Sequence, residues 1–302
     1  MNIGSIFLSN LIASSSIFLL VLPYIYNRFK VSSLSIIKWK SILSFALPFL
    51  PAGLFAMVME VADRYILKLL TDLETVGIYN AGYKIGVLML LTVNGFNMGW
   101  QPYFLEKNFD YRSKIYPRIN SIVLAILGFI WISLLFWADD LIKTSFFGIT
   151  FFGKDFFGSL DIIPWIGLSY FFYGFYHLQT PGVFLKNRPK YAAYTRLFGA
   201  FSNVGLCFLL IPMYGAMGAA FATCISFGLM ALSMFCINRY LISVKLESTS
   251  LFIIFSLLII SYLAFSIYED SFLVNLIIMF SYVVAIFYFK IIRMQSLNKI
   301  FS

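Results

Sequence analysis

Long uninterrupted apolar runs alternate along this chain with short polar gaps. The runs predict helices over 5–26, 42–67, 77–104, 117–138, 161–184, 194–212, 215–237, 250–267 and 271–289. Most approach or exceed the ~20 apolar residues that a helix needs to cross a bilayer. In hydrocarbon every backbone N–H and C=O must be satisfied within the protein, which leaves helices or a closed barrel. Barrel strands alternate apolar and polar positions, and these runs are continuous. The expectation is an all-α integral membrane protein of about nine spanning helices.

The gaps sort by charge. Arg28, Lys30, Lys38 and Lys40 fill the first, with no acid. Lys107, Arg112, Lys114 and Arg118 outnumber Glu106 and Asp110 in the third, and Lys186, Arg188, Lys190 and Arg196 stand alone in the fifth. Arg239 and Lys245 face Glu247, and the tail holds Lys290, Arg293 and Lys299. The intervening gaps hold Asp72 and Glu74, then Asp139, Asp140, Asp155 and Asp161, then Glu269 and Asp270, with only Lys68, Lys143 and Lys154. Basic residues mark cytoplasmic loops, so the C-terminus is expected inside and Met1 outside. Tyr and Trp at the run ends (Tyr24, Tyr26, Trp100, Tyr103, Trp137, Tyr214, Tyr240, Tyr268) fit interfacial belts. Residues 31–40 read as an interfacial linker, with Leu34, Ile36, Ile37 and Trp39 toward lipid and Lys38 and Lys40 at the headgroups.

Composition agrees. The chain has 302 residues, 61% of them hydrophobic and 12% charged, with a mean hydropathy of +0.89. A soluble domain of this size could not hide that much apolar surface. The net charge of +9 is a topology signal rather than a nucleic-acid footprint. Cys207, Cys224 and Cys236 lie in or at the ends of apolar runs and read as small packing residues. His177 is the sole histidine, so no His/Cys metal set is available, and no cofactor is expected. The run 5–26 lacks a basic n-region and ends in Arg28 and Lys30 rather than a cleavage site, so it reads as a retained helix.

Charge inside the runs is concentrated in 45–104. Glu60, Asp63 and Arg64 lie three and four residues apart and share a helix face. Counting from Ser41, Asp63 is about 33 Å along the helix, near the outer boundary. These residues form either an interfacial ion pair between Arg64 and Glu60 or the polar wall of a transport cavity. On 77–104, Asn80, Tyr83, Lys84, Asn94 and Gln101 fall within about a 100° arc, with Lys84 about 10 Å inside the outer boundary. That stripe favours the cavity. Arg64 and Lys84 against Glu60 and Asp63 sum to zero, so a self-neutralising structural network remains open. Pro48, Pro51 and Gly53 kink 42–67, either for packing or as the moving part of a broken transporter helix. His177, Gln179 and Thr180, with Tyr170, Tyr173 and Tyr176 above them, read as packing at the cytoplasmic end. Asp72-Leu73-Glu74 is a D-x-E tripeptide of the kind seen in glycosyltransferases, but its loop is short and no outer domain accompanies it. The chain is not expected to be an enzyme.

Four stretches carry a resemblance: Asp63-Arg64-Tyr65-Ile66, Val76-Gly77-Ile78-Tyr79-Asn80, Trp100-Gln101-Pro102-Tyr103-Phe104 and Tyr214-Gly215-Ala216-Met217-Gly218-Ala219-Ala220. Across 42–240 their order and spacing resemble the polysaccharide flippases of O-antigen and capsule type, in the multidrug and oligosaccharidyl-lipid exporter superfamily. The resemblance implies a six-helix C-terminal lobe at 42–240. Residues 1–30 would be the last helix of a first bundle, 31–41 the linker, and 241–302 an added helix pair and tail. About five helices of the first bundle are then expected elsewhere, in a longer frame or a partner. The implied function is to flip undecaprenyl-pyrophosphate-linked glycan across the bacterial cytoplasmic membrane for cell-surface polysaccharide such as lipopolysaccharide. The implied substrate-binding residues are Arg64, Lys84, Asn80, Asn94 and Gln101, with Glu60 and Asp63 for ion coupling and membrane lipids as surroundings. The alternatives are a membrane-embedded glycosyltransferase or polymerase, a drug/cation antiporter of the same superfamily, and a remnant that only inserts.

Overall fold

A computed structural model describes residues 3–28, 36–47, 49–106, 109–110, 115–143, 145–146, 149–150, 153–243, 246–267, 272–289 and 291. The expectations for Lys30, Leu34, Pro48, Lys107, Arg112, Lys114, Lys245, Tyr268, Glu269, Asp270, Lys290, Arg293 and Lys299 lie outside them. The chain divides into two units, Met1–Phe45 and Ala46–Ser302.

The first unit holds α1 (Ile3–Arg28) and nearly all of α2 (Ile36–Ala46). Leu8, Leu11, Phe18 and Leu20 are all exposed, as apolar residues on a lipid-facing helix are. Residues 36–40, read from the sequence as an interfacial strip, are the first turns of α2. Their apolar and basic positions fit a helix equally well, and the helix extends through 41–46.

The second unit is a bundle of α3 (Phe49–Leu70), α4 (Leu73–Leu105), α5 (Ile115–Lys143), α6 (Ile163–Leu178), α7 (Pro181–Leu185), α8 (Lys190–Ile242), α9 (Ser248–Ile267) and α10 (Phe272–Tyr288). The expected helix 42–67 is therefore replaced by two, with Leu47 and Pro48 between them. A two-residue bridge, β1 (Ser145–Phe146) with β2 (Ile149–Thr150), and a 3₁₀ segment (Lys154–Ile162) join α5 to α6. Among the described residues the rest is helical, and the protein is an all-α, multi-pass membrane protein. Asp72 links α3 to α4 as an N-cap, its carboxylate accepting the Thr75 N–H at 2.7 Å. That bond holds Asp72 below the ordinary carboxylate range.

α8 is a hairpin of two helices with the break at Gly215 (φ 56°, ψ −129°). A single residue turns the chain because glycine enters the left-handed region without a Cβ penalty. The pairing shows the fold-back: Asn203 Nδ2 is 3.4 Å from Thr223 Oγ1, and a Cβ on Gly199 would touch Met230. A Cβ on Gly218 would collide with the Leu210 carbonyl. α8 packs most extensively on α3 and α6. α4 and α6 run side by side in the same direction, since Gly86 meets Ile166, Val93 meets Gly174 and Trp100 meets His177. Lipid offers no hydrophobic drive between helices, so close backbone approach of this kind holds a membrane bundle together.

The helix expected over 161–184 is broken at Gln179–Thr180. Pro181 has no N–H, so the His177 carbonyl loses its helical partner. It accepts instead from Trp100 Nε1 (3.2 Å) and from the Thr180 hydroxyl (2.8 Å). The Tyr116 hydroxyl donates to the Leu178 carbonyl (2.7 Å), and Gly182 N–H turns to Asn238 Oδ1 (2.9 Å). Asn238 Nδ2 donates to the Tyr116 hydroxyl (2.8 Å) and Gln179 Oε1 (3.1 Å), and Gln179 Nε2 donates to Asn120 Oδ1 (2.6 Å). The network joins α5, α6, α7 and α8, and Trp100 is core rather than a belt residue: it is 3% exposed and stacks on Phe96 and Tyr116. Tyr24, Tyr26 and Tyr240 are exposed.

Two outcomes are expected in thermal melts of the detergent-purified protein. Gly218→Ala lowers stability by about 1–3 kcal/mol, because a backbone carbonyl cannot yield. Gly205→Ala, whose Cβ meets nothing within 4 Å, does not. Asn238→Leu costs about 3 kcal/mol by leaving Gly182 N–H and Gln179 Oε1 unpaired; a melt equal to wild type removes the network from the account of the break.

Candidate functional site

The polar residues of α3 part company with the sequence reading at one step. Asp63 points into the bundle and is fully buried. Its Oδ2 accepts the Tyr79 hydroxyl at 2.6 Å and lies 3.4 Å from Thr223 Oγ1. Its Oδ1 accepts the Arg64 backbone N–H at 2.7 Å. Asn203 Nδ2 reaches the same Thr223 oxygen. One carboxylate thus ties α3 to α4 and, through Thr223, to the second half of the α8 hairpin, where Thr223 in turn meets Asn203 of the first half.

Arg64 turns the other way. Its Nε donates to Asn80 Oδ1 at 2.8 Å, and its Nη1 donates to the Glu60 carbonyl. The guanidinium carbon sits 4.0 Å from the Tyr83 ring centroid, a cation–π geometry. The Tyr83 hydroxyl accepts from Tyr170 on α6 at 2.6 Å. Asp63 Oδ1 is 3.9 Å from Nη1, and the Arg64 side chain remains 28% exposed. Of the two alternatives the sequence leaves open, the ion pair between Arg64 and Glu60 does not form, and Asp63 is the acid that Arg64 faces. Four residues apart on a helix, Arg64 reaches the Glu60 backbone oxygen first. The Glu60 carboxylate is half-buried, and no hydrogen bond or ion pair joins it to a described residue.

The α4 stripe does not converge on one place. Asn80 and Tyr83 meet Arg64, while Lys84 and Asn94 are exposed. Gln101 belongs to a separate cavity of about 170 Å³ with Asn97, Tyr176, His177, Thr180 and Arg196. α4 has 33 residues and is about 50 Å long, so one face meets different neighbours along its course. The Arg64 group and the Gln101 cavity lie toward opposite ends of α4.

Arg196 was counted with the loop charges, but it lies inside α8. Its Nε donates to the Tyr176 hydroxyl (3.3 Å) and its Nη1 to the Ala52 carbonyl on α3 (3.3 Å). The signal was a lone charge flanked by Tyr191, Ala192, Ala193, Tyr194, Leu197 and Phe198, a composition that continues a helix. Among the described residues no group of three or more His, Cys, Asp or Glu side chains is placed to hold a metal ion.

An all-α membrane bundle with a cation held at its half-exposed face defines the class. Within it, residues 2–107 match the family described as polysaccharide biosynthesis protein. The match covers α1 to α4 and so includes Glu60, Asp63, Arg64, Asn80, Lys84, Asn94 and Gln101. The chain is similar over that stretch to membrane proteins of polysaccharide biosynthesis. No curated protein and no solved structure matches it.

Removing one partner of a buried ion pair leaves the other uncompensated, at a cost of about 3–5 kcal/mol. Arg64 is partly solvated, so Asp63→Ala is expected to cost about 3 kcal/mol in a melt, and Tyr79→Phe about 1 kcal/mol. Equal, negligible losses for both would remove Asp63 as the organiser of α3.

Proposed function

We propose that this chain is the translocating part of an exporter that moves lipid-linked oligosaccharide repeat units across the bacterial cytoplasmic membrane for cell-surface polysaccharide biosynthesis. The observation that carries the reading is Arg64. Its charge is held half-exposed over Tyr83, on the stretch that matches the polysaccharide biosynthesis family. A fixed guanidinium keeps donors available for a pyrophosphate. In this reading α3 to α8 form the transport lobe, α9 and α10 the added pair, and the C-terminus is cytoplasmic.

Asn80 positions the guanidinium. Lys84 and Asn94, exposed on the same helix, extend the polar surface along the path of an undecaprenyl-pyrophosphate-linked glycan. Glu60, with no hydrogen-bond or ion-pair partner among the described residues, is the better ion-coupling candidate, because its carboxylate exchanges partners without breaking a network. Asp63 supports coupling indirectly by holding Arg64 in place.

The test is glycan export in cells that depend on this gene, scored by surface polysaccharide and corrected for protein in the membrane. Arg64→Gln with Lys84→Ala is expected to cut export about tenfold or more, since a charge-assisted contact is worth ~1.5–3 kcal/mol. Glu60→Gln should uncouple export from the ion gradient. Wild-type export in the Arg64/Lys84 double variant, at wild-type abundance, would overturn the reading.

A further inference from the structure

The cavity at the far end of α6 is lined by polar groups that the protein itself leaves without partners. Asn97 and Gln101 on α4 both line it, and neither side chain bonds to a described residue. His177 lines it too; the residue is 8% exposed, and its Nε2 is buried with no hydrogen-bond partner. Arg196 contributes the charge. Its guanidinium is braced by the Tyr176 hydroxyl and the Ala52 carbonyl through Nε and Nη1, and no described residue accepts from Nη2. Among the described residues no carboxylate lines the space, and Glu60, an acid whose charge reaches Arg196, lies outside it.

A buried imidazole nitrogen without a partner is costly, and the unengaged polar groups here surround one positive charge, the Arg196 guanidinium. About 170 Å³ is room for roughly five waters at ~30 Å³ each, or for one tetrahedral oxyanion with its remaining water. We propose that this cavity is a binding site for a phosphate-type oxyanion, with Arg196 as its charged ligand and Asn97, Gln101 and His177 as its neutral ones. Tyr176 positions Arg196 through Nε. The guanidinium presents a planar edge suited to two oxygens of such an anion. The site is distinct from Arg64 and does not depend on the glycan-lipid reading. The oxyanion is either free in solution or the headgroup of a phospholipid monoester.

The whole chain in phosphatidylcholine nanodiscs separates the two sources. Inorganic phosphate is titrated in one arm, and phosphatidic acid is added to the nanodisc in the other, at fixed chloride. The readouts are melting temperature and tryptophan fluorescence, because Trp100 bonds to the His177 carbonyl. A saturable response is expected in at least one arm. It should weaken about tenfold or more in Arg196→Gln, the loss of one charge-assisted contact, and survive in Arg196→Lys. A response to phosphate assigns the free anion, and a response only to phosphatidic acid assigns the lipid. Should Arg196→Gln fail to fold, Asn97→Leu with Gln101→Leu carries the test, because those changes leave the Ala52 and Tyr176 bonds intact. Absence of any response in the wild type, or equal responses in wild type and the folded variants, overturns the proposal.

Discussion

The Asp63 carboxylate is the constraint on which the second unit depends. A charge fully enclosed in a membrane bundle must be met by fixed donors or it will not stay there. Here the donors come from a tyrosine on α4, a threonine on the second half of α8 and the backbone of α3 itself. No two of those three elements can slide without leaving the carboxylate exposed to hydrocarbon. The same anchoring turns Arg64 outward, because its neighbour occupies the inward direction. The half-exposed cation of the candidate site is thus a by-product of where the buried anion goes.

A second polar knot holds the other end. The break at Pro181 frees the His177 and Leu178 carbonyls and the Gly182 N–H; Trp100 and Thr180 take up the first, Tyr116 the second and Asn238 the third. Between the knots, α4 and α6 approach closely at Gly86 and Gly174. The bundle is therefore pinned by hydrogen bonds at both ends and by close packing in between. α5 is joined to the start of α9 by a similar device. Glu247 accepts from Arg118 (3.4 Å), Ser121 (3.0 Å) and Ser250 (3.0 Å).

Helix number and type were legible because lipid demands continuous apolar runs, and those stand out residue by residue. The turn at Gly215 was legible for the same reason, whereas the gap expected over 68–76 closes to two residues because Asp72 caps α4 and Leu73 and Glu74 are already helical. The α6–α7 break was half legible. Pro181 announced a disturbance, but the groups that make a clean break affordable sit on α5 and α8, far away in the chain. The α4 stripe misled for a geometric reason: a shared face is not a shared neighbour over so long a helix. The Glu60–Arg64 pair misled because spacing along a helix says nothing about which partner a third helix will supply. Arg196 hid among loop charges, since a charge count sorts residues by gap and not by the helix that swallows them.

The one-residue turn at Gly215 also bears on how the protein is made. A helix pair with no hydrophilic loop offers the insertion machinery nothing to retain on the far side between its two arms. The arms therefore enter the bilayer together, as a folded pin, and neither has an orientation of its own. The vote is cast by Arg188, Lys190 and Arg239, which the fold-back gathers at a single end. For this quarter of the bundle, biogenesis is a single event.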